Sequence, residues 1–128
     1  MRIRAEIFAG ELVDKLTILE IKLDNIRDPG RRPNLVREYG SPIKSFRRNL
    51  AHFGGLLGLR DELRGVNREL WRIEDDIRGC ERSATFDGVF VALARSIYRS
   101  NDRRADLKRR IKELTQSEII EEKSYATY

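Results

Sequence analysis

The chain has one histidine and one cysteine among its 128 residues, and these scarcities remove whole classes of chemistry. A single cysteine, Cys80, excludes an intrachain disulfide and a zinc ribbon, and suits a reducing compartment. A single histidine, His52, cannot build a histidine-rich metal site or a metalloprotease helix, so no metal ligands are expected. No phosphate-binding loop ends in Gly-Lys-Ser or Gly-Lys-Thr, and there is no dinucleotide glycine fingerprint or nucleophile elbow. Gly54-Gly55-Leu56-Leu57-Gly58 is glycine-rich but follows no strand, and reads as a hinge between helices. No cofactor is expected. Long apolar runs are also missing. The longest, Val89 to Ala94, falls far short of the ~18 residues a membrane helix needs. The start, Met1-Arg2-Ile3-Arg4-Ala5-Glu6-Ile7, has no signal-peptide core. The expected location is cytoplasmic.

What is present points to helices. The chain is 40% hydrophobic and 37% charged, with 8% aromatics and three prolines, a balance typical of long helices with interleaved acids and bases outside. The formal net charge is +5, from 26 bases against 21 acids. An excess of this kind attracts anions in general, but dispersed among so many acids it makes a mixed surface. The length fits one domain, residues 1–128.

The first residues alternate, with Ile3, Ala5 and Ile7 apolar, which is the pattern of a short strand needing a partner in the C-terminal tail or a second subunit. A helix is then expected from Glu11 to Arg27, with Leu12, Leu16, Leu19, Leu23 and Ile26 in one stripe, stopped by Asp28-Pro29-Gly30. Ser41-Pro42 reads as the opening of a second helix. Leu56, Leu59, Leu63, Val66, Leu70, Ile73, Ile77 and Cys80 repeat at three and four, predicting a long helix over 59–81 with a coiled-coil-like seam. A further helix is expected over 86–114. Its stripe begins Phe86, Phe90, Leu93, Ile97 and resumes at Leu107, Ile111, Leu114, turning polar between them at Ser100, Asn101 and Arg104. Thr115-x-x-Glu118 resembles a capping box, which would start a short last helix over 116–123. Short connections imply antiparallel neighbours. The expected fold is all-α: an antiparallel bundle of three to four amphipathic helices, with a short C-terminal helix and a candidate N-terminal strand.

Two polar flanks stand beside the apolar stripes. Asn67, Trp71, Glu74, Arg78 and Glu81 share one face of the long helix, and Tyr98, Asn101, Ala105 and Lys108 share one face of the next. Polar residues where the core is due need partners, since an unpaired buried polar group costs ~1–3 kcal/mol. One reading has Asn101 and Arg104 pairing with Glu74 or Asn67 to fix helix register. The other has a polar pocket for an anionic ligand, formed by Asn67, Trp71, Glu74, Tyr98, Asn101 and Arg104, with Asp14 and Lys15 contributing from the first helix. Glu11 and Lys15 are spaced for an i,i+4 ion pair. The basic clusters Arg31-Arg32, Arg47-Arg48, Arg103-Arg104 and Lys108-Arg109-Arg110 would bind nucleic acid only if gathered on one face, and no known motif accompanies them.

The segment Gly10-Glu11-Leu12-Val13-Asp14-Lys15-Leu16-Thr17-Ile18-Leu19-Glu20-Ile21-Lys22 resembles the opening of an uncharacterised family of small all-helical bacterial proteins. Val66-Asn67-Arg68-Glu69-Leu70-Trp71-Arg72-Ile73-Glu74-Asp75 is similar to a later block, as are Leu93-Ala94-Arg95 with Tyr98-x-x-Asn101-Asp102-x-Arg104-Ala105, and Glu122-Lys123-Ser124-Tyr125. The resemblance implies a helical fold and a glycan-related context, through related segments beside glycosyltransferases or tetratricopeptide repeats. It supplies no catalytic residues, and residues 31–58 fall outside it. The expected function is a non-catalytic helical binding or assembly module that self-associates, a homodimer first, through an apolar helix face. The competing expectation is a small enzyme or receptor for an anionic or sugar-nucleotide ligand in the inter-helix pocket.

Overall fold

The structure, a computed structural model, describes the backbone of residues 1–126 and the side chains of residues 1–116. Four helices follow one another: α1 (Ala9–Asn25), α2 (Arg32–Asn49), α3 (Leu56–Arg82) and α4 (Gly88–Ala126). The fold is all-α and bundle-like, as the apolar periodicity implies.

α1 has Glu11 in its first turn and Lys22 in its last, matching the helix dipole at both ends. Its C-terminal carbonyls are closed by Arg32, whose Nη1 donates to Leu23 at 2.6 Å and to Ile26 at 2.9 Å. Asp28 shapes the turn by accepting from the Gly30 amide at 2.8 Å. α2 begins well before Ser41-Pro42, with Pro33 in its first turn and Pro42 inside the helix. The pyrrolidine at Pro42 leaves the Glu38 carbonyl without its helical donor, but this flank is exposed and water can take the place. The turn between α2 and α3 is glycine-built, as the hinge reading required: Gly55 has φ +82°, which a side chain would strain.

α3 and α4 form an antiparallel hairpin. Glu62 pairs with Arg110 and Glu69 with Arg103, so seven residues forward on one helix are seven back on the other. α1 packs against α2, α3 and α4, whereas the α2 backbone adjoins α1 alone. The core gathers Val13 and Leu16 of α1, Phe46 of α2, Leu63, Val66 and Leu70 of α3, and Leu107 and Ile111 of α4. The coiled-coil-like seam of α3 is therefore spent inside the molecule. Its burial ends at Ile73, with Ile77 and Cys80 only half-buried, and no residue of α4 before Ser100 is buried. Among the described residues, nothing is laid across the two helices at the far end of the hairpin.

Three expectations are corrected. Residues 1–8 have no regular structure, and Ile3 and Ile7 are exposed. A lone alternating segment has nothing to pair with among the described residues, since they contain no strand. The separate C-terminal helix is instead the continuation of α4. Thr115 does not cap; its hydroxyl donates back to the carbonyls of Ile111 at 3.0 Å and Lys112 at 3.1 Å, which a mid-helix threonine can do without ending the helix. The Glu118 side chain and residues 127–128 lie outside the described residues. Among the described residues no helix is long and apolar enough to cross a membrane.

Candidate functional site

The site is built where α1 comes closest to α4. A Cβ on Gly10 would stand 2.4 Å from the Lys108 carbonyl oxygen, so the two backbones touch there and only glycine fits. One turn on, Asp14 faces Arg104, one turn back along α4. This is the antiparallel register that the contact at Gly10 sets.

Asp14 is 4% exposed, and its carboxylate is fully used. Arg104 grips it with both prongs of the guanidinium, Nε to Oδ1 at 2.9 Å and Nη2 to Oδ2 at 2.5 Å. This bidentate form is the strong, orientation-specific one. From α3, Asn67 donates through Nδ2 to Asp14 Oδ1 at 3.0 Å and to Thr17 Oγ1 at 2.9 Å. Thr17 can accept because its own proton goes to the Asp14 carbonyl at 2.8 Å. Lys108 Nζ stands 2.9 Å from Glu11 Oε1 and 4.0 Å from Asp14 Oδ2.

Burial by itself would push the Asp14 carboxyl up. The hydrogen bonds from Arg104 and Asn67, with the charges of Arg104 and Lys108, outweigh it and hold the group below its ordinary value. The bond to Asp14 in turn raises Arg104, against its own desolvation. Three helices thus meet on one ionised carboxylate.

Above this cluster lies a groove of about 190 Å³. α1 contributes Ile18, Ile21 and Lys22, α3 contributes Asn67, Leu70, Trp71 and Glu74, and α4 contributes Asn101 and Arg104. Arg104 therefore serves two sides: two nitrogens hold Asp14, and Nη1, with no described protein partner, remains for the groove. Trp71 is half-buried and Glu74 and Asn101 are exposed, so the groove joins a hydrophobic wall to a polar rim.

Of the residues proposed from sequence, Asn67, Trp71, Glu74, Asn101 and Arg104 converge on this groove. Asp14 lies beneath it as the anchor of Arg104. Lys15 is exposed and turns to a second, larger trough of about 350 Å³, bounded by Ile7, Glu11, Asp14, Ile18, Leu19, Lys22 and Glu38. That trough has more room but less chemistry. Its one buried acid has both oxygens turned to Arg104, and its remaining charges are balanced. Tyr98 does not join the groove and is 53% exposed. The expected register pairs are also revised. Arg104 and Asn67 meet on Asp14 of α1, and Glu11 reaches Lys108 in place of Lys15.

Sequence reasoning passed over Thr17, Lys22 and the structural need for Gly10. The signal was available: Gly10, Asp14, Thr17 and Ile21 are spaced four, three and four apart, and all four are buried. A buried helical stripe containing glycine, aspartate and threonine marks close approach and buried hydrogen bonding.

A second ionic junction fastens α1 to α2 and α3. Glu20 Oε2 accepts from Arg60 at 2.8 Å and from the Tyr39 hydroxyl at 3.3 Å, while Arg60 lies 4.9 Å over the Phe46 ring. Burial and the charge of Glu20 push Tyr39 up. The basic clusters of α4 are occupied, with Arg103 on Glu69, Arg104 on Asp14, Lys108 on Glu11, Arg109 on Asp106 and Arg110 on Glu62.

No curated protein and no solved structure matches the chain. A family model does, over residues 3–128, and by that match the chain belongs to the family described as "Family of unknown function (DUF6165)".

Proposed function

We propose that the protein is a non-catalytic helical binding module that holds a small polar ligand in the groove between α1, α3 and α4. The observation that carries this reading is convergence. Five polar or aromatic side chains from two helices reach one concavity, and the arginine among them is fixed from behind by a buried carboxylate. Such pre-positioning lowers the ordering cost of binding.

The lining suggests the ligand's chemistry. Lys22 and Arg104 are the cations of the groove and Glu74 its acid, which suits a ligand with one anionic group and several hydroxyls. The Trp71 face suits a ring stacked on it. Asn101 supplies an amide that both donates and accepts, and Asn67, whose two Nδ2 hydrogens go to Asp14 and Thr17, offers its Oδ1 as an acceptor. At about 190 Å³ the groove is smaller than the ~300 Å³ of common drug-sized sites, so a single phosphorylated sugar fits better than a whole sugar nucleotide. A glycan-related context agrees with that size. Catalysis is disfavoured by Asp14 itself. A general base needs a free oxygen and a pKa near the working pH, whereas Asp14 is held ionised with both oxygens occupied.

A thermal-shift series with monosaccharides, sugar phosphates and sugar nucleotides tests the proposal. A ligand at a hundred times its Kd adds about 2.7 kcal/mol of stability. The expected result is a raised midpoint with sugar phosphates, lost in Trp71→Ala and in Asn101→Ala. A midpoint that no compound moves, or a shift that survives both substitutions, contradicts the proposal.

A further inference from the structure

The N-terminal half of α4 stands apart from the other exposed helix surfaces among the described residues. From Gly88 to Ala94 it carries no charge. Phe90, Leu93 and Ile97 are half-buried, which accounts for one face. The adjoining flank, about 100° round the helix, repeats at helical spacing as Val91, Ala94 and Tyr98, and all three are exposed, Val91 and Tyr98 at 53% each. The outer face of neighbouring α3 looks ordinary by comparison, with Arg68, Arg72, Asp75, Asp76 and Arg82 in solvent. A helix whose apolar surface extends a quarter-turn beyond the face its neighbour covers is one that expects cover there too.

Charge decides what the cover is. Asp87 and Arg95 lie one turn before and one turn after Val91, on its face, and both are exposed. Only one oxygen of Asp87 is engaged, Oδ1 accepting from the amides of Val89 at 3.0 Å and Phe90 at 3.4 Å, so Oδ2 is free to meet a cation. A second copy of this face, turned antiparallel about Val91, brings Asp87 of each protomer against Arg95 of the other, with Val91 against Val91 between them. The surface is complementary to itself under a two-fold rotation, which is the requirement of an isologous interface. A parallel arrangement would set acid on acid and base on base.

We infer that the protein forms a symmetric dimer in which the N-terminal halves of two α4 helices pack antiparallel about Val91, with reciprocal Asp87–Arg95 ion pairs. Residue 91 lies at the free end of the hairpin, where the molecule's own α1 and α2 provide no cover. The inference is independent of the groove and stands or falls separately from it.

Sedimentation velocity on the full chain over a concentration series tests this, with circular dichroism to verify helix content. Wild type is expected to sediment as a dimer. Val91→Glu, Arg95→Glu and Asp87→Lys should each weaken dimerisation by more than about tenfold, since each sets a charge against an apolar partner or against a like charge. Asp87→Lys also removes the cap of α4, so the deciding sample is an equimolar mixture of the Arg95→Glu and Asp87→Lys chains. In that mixture both cross pairs are opposite in sign, and dimer should return. A wild type that stays monomeric at every concentration overturns the inference. So does a dimer indifferent to Val91→Glu, or a mixture no more associated than its components.

Discussion

The two ends of the α3–α4 hairpin use the same apolar repeat and reach different outcomes. Near α1, Leu63, Val66 and Leu70 face Leu107 and Ile111, and α1 closes over them with Val13 and Leu16. At the far end, the stripes continue as Ile77 and Cys80 on α3 and as Phe90 and Leu93 on α4 without a third helix, and none of the four is buried. The seam alone brings two helices together but does not dry them. What dries the base is α1, and α1 is held in place by polar chemistry: the backbone contact at Gly10, the Asp14 cluster and the Glu20 junction. Apolar periodicity thus sets which face turns inward, and a few buried hydrogen-bonded residues decide which helices meet there.

The sharpest way to break this contrast is to remove one residue from each end. Asp14→Ala leaves Arg104 without its partner and Asn67 with one acceptor fewer, and should cost about 3 kcal/mol in urea unfolding. Ile77→Ala, at a half-buried position, should cost about 1 kcal/mol, well below the ~2–5 kcal/mol of a fully buried isoleucine. Equal costs would mean that the far end is closed as tightly as the base.

The glycines sharpen the comparison next. Gly10→Ala drives a methyl group into the Lys108 carbonyl, forcing α1 away from α4 at a cost of about 1–3 kcal/mol. Gly65, on the solvent side of α3, has nothing within 4 Å of a new Cβ, so Gly65→Ala should stabilise by up to ~1 kcal/mol through helix propensity. Midpoints in thermal unfolding should therefore move in opposite directions.

Acid gives a smaller effect, confined to the base. The folded-state pKa of Asp14 is lowered, so its stabilisation is complete above the unfolded carboxyl's value of about 3.9 and drains away as pH falls below it. Unfolding free energy measured down to pH 2.5 should fall less steeply in Asp14→Asn, which is already uncharged there. A slope unchanged by the substitution would remove Asp14 as its source.

The apolar stripes of α3 and α4 were legible in the sequence because each turns one face inward, toward its hairpin partner and α1 together. α1 was half legible. The stripe Leu12, Leu16, Leu19, Leu23 and Ile26 identifies the helix, yet burial also takes Val13, Thr17 and Ile21, since α1 meets three helices and has no single inward face. The start of α2 was concealed because Ser41-Pro42 carries the same start signal as Arg32-Pro33, and an exposed flank tolerates an internal proline. In the groove, Asn67, Trp71 and Glu74 were legible as one face of one helix, and Asn101 and Arg104 as polar residues where apolar ones were due. That Arg104 would choose Asp14 could not be read locally, because the pairing depends on how closely Gly10 lets α1 approach α4.

The measurement that bears most directly on this account is a double-mutant cycle between Asp14 and Arg104, read by urea unfolding of Asp14→Ala, Arg104→Ala and the doubly substituted chain. If the pair locks α1 onto the hairpin, the double substitution costs less than the two single costs added together, by more than about 1 kcal/mol. Additivity within about 0.5 kcal/mol would mean that the two side chains are merely neighbours, and that something else holds α1 in place.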